Sequence, residues 1–552
     1  MRKFLIPLSV LLVLAFIITG CGGGTTTPAT TAPTSTAPKT TAPTVTSPVG
    51  TTSPVATATT TAPPASGQPR YGGRLKLIGG SNVANMGNPD EISNPGDATY
   101  AYPAVEGLLK MDAKGNLLPN LAEKWEISPD GKYVTFYLRR GVKFHDGSPF
   151  NAESAKYNMD VRINTKAWAN FKAFSRAEVI DEYTMRVYFG DRFDWTAIKS
   201  LAYFFSGMEF SMKALKEQTP EWLRSHPIGT GPFKFREYKR DQIISYDRND
   251  DYWGGKPYLD GVDFIIIPDT TTQLLAFKSG EVYVLGVQAK DAAGLKKEGY
   301  QLFEGYDVCF NIGMMPDSNN AGSPFSKIEV RRAVEYASDK QSIVDAITYG
   351  YGRVSNQVFI ESEACYNPNV VGYPYNPAKA KELLTAAGYP NGFKFKCMMV
   401  DVMPLDFPTM LQDQLKKLGI IMEFNRVSLP QFSFQVGPGG GWEGWAVGGT
   451  YTGPAGDPAG ALRNGPINEN TTWISTWEPP ELIDLARKAA SELDPNKRTQ
   501  MYKEISKKMT DDYAMVQWLY YVPFITAVSP KLKGHTIGQG GTFAYTHAWL
   551  EP

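Results

Sequence analysis

Residues 229–284 constrain the fold more tightly than any other part of the chain. Gly229, Gly231 and Pro232 form a turn of the kind that flexible and pre-bent residues supply. Phe233, Phe235 and Tyr238 then alternate roughly with charges, as in a half-buried strand. Residues 239–242 are polar enough for a turn, strand character resumes over 243–246, and a loop covers 248–257. Residues 262–267 are almost continuously apolar, which predicts a strand covered on both faces, ended by Pro268 and Asp269. Residues 270–278 suit a helix, Gly280 suits its C-terminal end, and 281–284 return as a strand. A hairpin followed by a strand–helix–strand crossover predicts a mixed sheet inside an α/β domain.

The chain begins differently. Arg2 and Lys3 precede an apolar run over residues 5–18, closed by small residues before Cys21. That is the shape of an export signal. An uncleaved membrane-spanning anchor is the competing reading, and the run is short for it, since a spanning helix needs about 20 apolar residues. Residues 22–69 are Thr, Pro, Ala and Ser with almost no charge or large apolar side chain. Such a segment buries too little surface to offset its chain entropy and reads as a disordered tether. Its reach is about 40 Å as a coil. A glycosylated stalk is the decorated form of the same segment.

The remainder is globular in composition, with 42% hydrophobic and 12% aromatic residues over the chain. Lys plus Arg and Asp plus Glu are equal at 56 each, so no net charge favours nucleic acid. Cys309, Cys365 and Cys397 allow at most one disulfide and leave its pairing open. There is no Walker A motif, no G-x-S-x-G elbow and no H-E-x-x-H helix. His145, His226, His535 and His547 are scattered, and His145 reads as structural. No catalytic residue, metal site or cofactor is expected.

Further elements follow from pattern. A strand over 75–78 leads into a Gly/Asn-rich loop, 79–89, that carries Asn82. Such a loop at a strand end faces the ligand crevice in many α/β sheets, or is an ordinary surface turn. Residues 125–127 and 133–138 form a hairpin around Ser128-Pro129-Asp130-Gly131, a helix covers 151–161 and a strand 184–189. Helices are expected over 330–347, 376–387, 410–418, 480–492 and 497–509, and strand-like runs over 516–521 and 524–528.

GTGPF (229–233), RNDDYWGGKPYLD (248–260), IPD (267–269) and SGEV (279–282), in this order, resemble the family 5 extracellular solute-binding proteins. These are the oligopeptide-, dipeptide- and nickel-binding components of ABC importers. LAEKWEISPDGKYVTFYLRRGVKFHDGSPF (121–150) resembles the family's early segment, and the likeness runs over nearly all of the chain after Tyr71. Ile18-Thr19-Gly20-Cys21 resembles a bacterial lipobox, which implies diacylation of Cys21.

The resemblance implies an α/β fold of the periplasmic-binding-protein-like type II, with two lobes joined by hinge crossovers and an extra small domain. The implied division is 1–20 signal, 21–70 lipidated cysteine and tether, 71–108 first lobe, 109–226 small second domain, 227–304 first lobe again, 305–522 third lobe and 523–552 return. Implied partners are a small solute (peptide, oligosaccharide or chelate), ABC permease subunits, and the membrane through the lipid on Cys21. The implied location is the outer face of the cytoplasmic membrane. A monomer that binds no nucleic acid is expected. A nickel–chelate or oligosaccharide receptor, or an extracytoplasmic enzyme or chaperone, remains the alternative on this scaffold.

Trp442, Trp445, Tyr451, Trp473 and Trp477 cluster in one glycine-rich region, as core packing or as a ligand wall. The resemblance puts this segment along the cleft between the first and third lobes. The expected ligand-binding residues are Trp442, Trp445, Tyr451, Thr452, Asp457, Tyr520, Tyr521 and Asn82. In peptide-binding members an Asp follows the aromatic–small–small run and pairs with the peptide's α-amino group. Here Pro454 follows Tyr451-Thr452-Gly453, and Asp457 lies three residues on. The departure implies a receptor that does not hold short peptides by the amino terminus. A solute gripped by stacking and neutral hydrogen bonds is expected instead, or a peptide held elsewhere along its backbone.

Overall fold

The computed structural model describes residues 67–552 apart from 92–94, 113, 166–168, 203–206, 454–455, 469–470, 538–542 and 545. The signal, Cys21, almost all of the tether and Pro454 lie outside the described residues.

The 229–284 stretch folds as a mixed sheet. Strands Phe233–Lys239 and Ile243–Arg248 form an antiparallel hairpin, and Gly261–Ile266 continues it antiparallel. Arg74–Gly79 then lies parallel to Gly261–Ile266 on one side and to Val284–Val287 on the other. The opening strand is thus inserted between the two strands of the crossover. The crossover helix, Thr270–Lys278, is capped by Asp269, whose carboxylate accepts from the Thr272 amide at 2.7 Å. The return strand starts at Val284, because Gly280 (φ 79°) ends the helix and residues 281–283 turn the chain.

Gly229 and Gly231 are there for close approach. A Cβ on Gly229 would sit 2.2 Å from the Ala104 carbonyl oxygen, and one on Gly231 would sit 2.7 Å from the Ala104 carbonyl carbon. Their carbonyls accept from His145, the Gly229 oxygen from its amide at 2.8 Å and the Gly231 oxygen from Nε2 at 2.9 Å. The imidazole is buried and its pKa is pushed down to about 4 by that burial. His145 is a structural link between the turn and the small domain.

The small domain is a four-stranded antiparallel sheet, Ala122–Ile127, Tyr133–Leu138, Thr184–Phe189 and Phe174–Asp181 in spatial order, with the helix Ala152–Thr165 against it. Its core draws on residues from Leu108 to Leu201, including Phe136, Phe150, Met159 and Val187. Met208 and Phe210 pack in the core beneath the first strand, with Leu75, Phe233 and Val262.

Two long strands, Gln301–Pro316 and Gln517–Val528, run antiparallel through both lobes. At one end Gln301 to Gly305 face Val528 to Phe524, and Val284–Val287 pairs with the same part of the second strand. At the other end Cys309 to Met314 face Pro523 to Gln517, and Trp445–Thr452 pairs with the first strand. Between Gly305 and Cys309 the register shifts, so residues 306–308 have no cross-strand partner. The bulge lies beside Pro523, which has no N–H to give to a ladder. Where the sequence suggests two strand-like runs either side of Pro523, one continuous strand passes through it.

The third lobe adds the parallel strands Lys394–Val400 and Ile421–Val427 to the same sheet. The periodicity over 330–347 predicts one helix, but two form, Ile328–Ala337 and Lys340–Ile347. Ser338 is extended, and Asp339 caps the second helix by accepting from the Ser342 amide. An N-cap residue competes with helix continuation, and here it prevails. Cys309, Cys365 and Cys397 are all buried, and no disulfide forms among the described residues.

Candidate functional site

A cavity of about 500 Å³ lies where the two long strands cross from lobe to lobe. That size suits a small organic solute. The first lobe supplies Thr270 and Gln273 from the crossover helix, then Val287, Gln288 and Asp291 from the strand end and the helix that follows it. The third lobe supplies Met403, Asp406 and Phe407, together with Tyr351 and Tyr451. Its floor is the long strands themselves, through Phe310, Ile312, Tyr520, Val522 and Phe524.

Strand alternation decides which side chains reach it. Phe310 and Tyr451 are cross-strand partners with ring centroids 5.2 Å apart. Tyr520 packs against Phe407 at 5.8 Å and 76°, and burial raises its phenol pKa, with the nearby Asp406 charge adding to the effect. The next residue, Tyr521, faces the opposite side of the sheet, against Tyr306, Cys309 and Ile360. Thr452 likewise faces away from the Tyr451 side, and its hydroxyl donates to the Glu363 carboxylate at 2.5 Å.

Of the eight residues singled out from the sequence, the cavity brings together Tyr451 and Tyr520. Trp445 is buried in the third-lobe core between Phe325 and Phe395. Trp442 is buried there too, its indole donating to the Met315 carbonyl at 3.2 Å. Asp457 caps the helix Pro458–Asn464, accepts from the Thr196 hydroxyl, and pairs with Arg498 at 2.6 Å. Burial opposes that charge, but Arg498, Lys199 and these bonds hold Asp457 down at about 2. Asn82 donates to Asp241 and accepts from its amide at 2.8 Å and from the Tyr238 hydroxyl.

Asp457 belongs to a second polar cluster. The Lys199 ammonium donates to the Gly456 carbonyl, and Asp194 pairs with Arg463, so the helix Trp195–Ser200 of the small domain is docked on the third lobe. Glu363 lies close by, and burial raises its carboxyl to about 7 against the bonds from Thr452 and the Ile360 amide. Among the described residues no group of three or more His, Cys, Asp or Glu is arranged to hold a metal. No helix among them is long and apolar enough to cross a membrane.

Residues 116–458 match the profile of bacterial extracellular solute-binding proteins, family 5 Middle. The chain belongs to that family. Family 5 proteins are extracellular solute receptors, and this chain is a solute-binding protein, not an enzyme. It is 29% identical to heme-binding protein A of Haemophilus influenzae, over 77% of this chain and 83% of that one. It is 30% identical to di/tripeptide-binding protein 1 of Pseudomonas aeruginosa, over 76% and 83% respectively. Among solved structures, HbpA2 of Haemophilus parasuis aligns with a TM-score of 0.75 at 25% identity, over 87% of this chain and 100% of that one. The two lobes joined by two crossing strands are the type II fold of these family 5 proteins.

Proposed function

We propose that this family 5 protein is the lipid-anchored receptor of an ABC-type importer. It captures a small solute in the cavity at the strand crossing, closes its lobes over it and presents the loaded form to a permease. The support is the cavity itself, whose walls come from both lobes on either side of a register shift beside Pro523. Hinges of this kind absorb dihedral change at a few residues while the lobes move as bodies. Closure follows only if the closed state holds the solute more tightly. Diacylation of Cys21 and the 22–69 tether keep the receptor at the outer face of the cytoplasmic membrane, since two chains anchor stably where one does not.

The domain division 71–108, 109–226, 227–304, 305–522 and 523–552 fits this account. The long strands carry the chain between lobes close to residues 305 and 523. Aromatic walls favour a solute held by stacking. Relatives are named for peptides and heme, and peptides enter the screen on that ground. Pro454 offers no charge or side-chain acceptor to a peptide's α-amino group, and capture at that position is not expected. A thermal-shift screen of the purified protein against peptides, metal chelates and oligosaccharides tests the reading. A receptor is stabilised by its ligand and returns it unmodified, and failure of every solute to stabilise the protein would contradict the reading.

A further inference from the structure

Resting on that receptor reading, we infer that the solute is an organic cation with an apolar or aromatic body and no carboxylate. The charge balance of the cavity carries the inference. Phe310, Tyr351, Phe407, Tyr451, Tyr520 and Phe524 put six aromatic rings around it. Among the described lining residues the charged side chains are Asp291 and Asp406, with no Lys, Arg or His. Asp291 comes from the first lobe and Asp406 from the third, so closure brings a carboxylate from each side towards the same solute. Neither carboxylate has an ion-pair or hydrogen-bond partner among the described residues.

Ring faces are negative and attract a cation placed over them, most of all when water is excluded. A carboxylate entering the same space would lose its hydration and find no cationic side chain. The neighbouring cations are turned elsewhere. Arg353 donates to the Gly350 and Gly352 carbonyls and sits 5.7 Å from the Tyr306 ring, on the Tyr521 side of the sheet. Lys290 is exposed and outside the lining.

The helix ends at the cavity pull the other way and are offset. Three helices begin at the cavity, Thr270–Lys278, Ala289–Lys297 and Asp406–Lys416. Each N-terminus carries about half a positive charge, which favours anions. Each also carries its own carboxylate at its start, Asp269, Asp291 and Asp406 respectively. One full negative charge per helix outweighs half a positive one, so the cavity stays negative.

Calorimetry on the full chain with one ring body in four charge states tests this: tryptamine, N-acetyltryptamine, indole-3-propionate and tryptophan. Tryptamine should bind at least tenfold tighter than the neutral amide, with the anion and the zwitterion weaker still. Asp291→Asn with Asp406→Asn should cost tryptamine at least tenfold and so remove most of its preference over N-acetyltryptamine. Tighter binding of indole-3-propionate or tryptophan overturns the cation while leaving the receptor standing. So does an Asp double variant that binds tryptamine like the parent, and so does failure of all four probes while another solute from the wider screen binds. Failure of every solute in that screen would instead remove the receptor reading.

Discussion

Tyr520 and Tyr521 are neighbours in one strand and serve opposite faces of it. Tyr520 closes the cavity against Phe407, and Tyr521 packs on Tyr306 behind the sheet. Truncating them should therefore separate binding from stability. Tyr520→Leu is expected to weaken solute binding about tenfold through lost ring contact. Tyr521→Leu should lower the melting temperature and leave affinity within twofold. Calorimetry beside thermal denaturation checks both, and equal loss of affinity in the two variants would break the facial assignment.

Breaking the Asp457–Arg498 pair should be costly, because it leaves a buried guanidinium without its counter-charge. Asp457→Asn keeps the helix cap and is expected to destabilise by about 3 kcal/mol at neutral pH. The Asp457 pKa is depressed in the fold to about 2, so its contribution is present above the usual carboxylate range and is lost as pH falls through about 2. The difference between parent and variant should shrink along that acid limb. Urea unfolding at pH 7 and pH 3 reads it, and a constant difference would contradict the charge argument.

Glu363 has the opposite sign. Its folded pKa, about 7, lies above the unfolded value, so the fold retains a proton that the unfolded chain releases. Its contribution to stability is fully present below about pH 4, declines as pH rises to about 7 and is then flat. Glu363→Gln keeps an acceptor for Thr452 and carries no charge at any pH. It should remove that slope and gain up to about 3 kcal/mol at pH 8. Melting curves at pH 5 and pH 8 that move in parallel for parent and variant would rule this out.

Ile18-Thr19-Gly20-Cys21 motivates a cell-level test. Cys21→Ser is expected to yield unprocessed or misplaced protein, read by fractionation and fatty-acid labelling. A variant processed and membrane-bound like the parent would refute the lipid anchor.

Much of the fold was legible because it rests on local chemistry. Asp269 and Gly280 bracket the helix at 270–278, and the apolar run after Gly261 is a strand buried on both faces. The break at Ser338–Asp339 was hidden because apolar periodicity continues through it, whereas the cap acts through one side-chain bond. The cavity was legible only in part. Tyr451 and Tyr520 stand in recognisable motifs, but Trp442 and Trp445 share the same glycine-rich run and face the core. Asp406, Phe407 and Asp291 carry no local signal. They meet the other walls only through strand pairings spanning more than 200 residues, such as Gly305 with Phe524.

The proposed closure pivots about residues 305–309 and 522–524. Small-angle scattering of the protein, with and without the tightest solute from the thermal-shift screen, measures it directly. A smaller radius of gyration at saturation is the predicted result, and an unchanged radius with the site full would contradict the hinge.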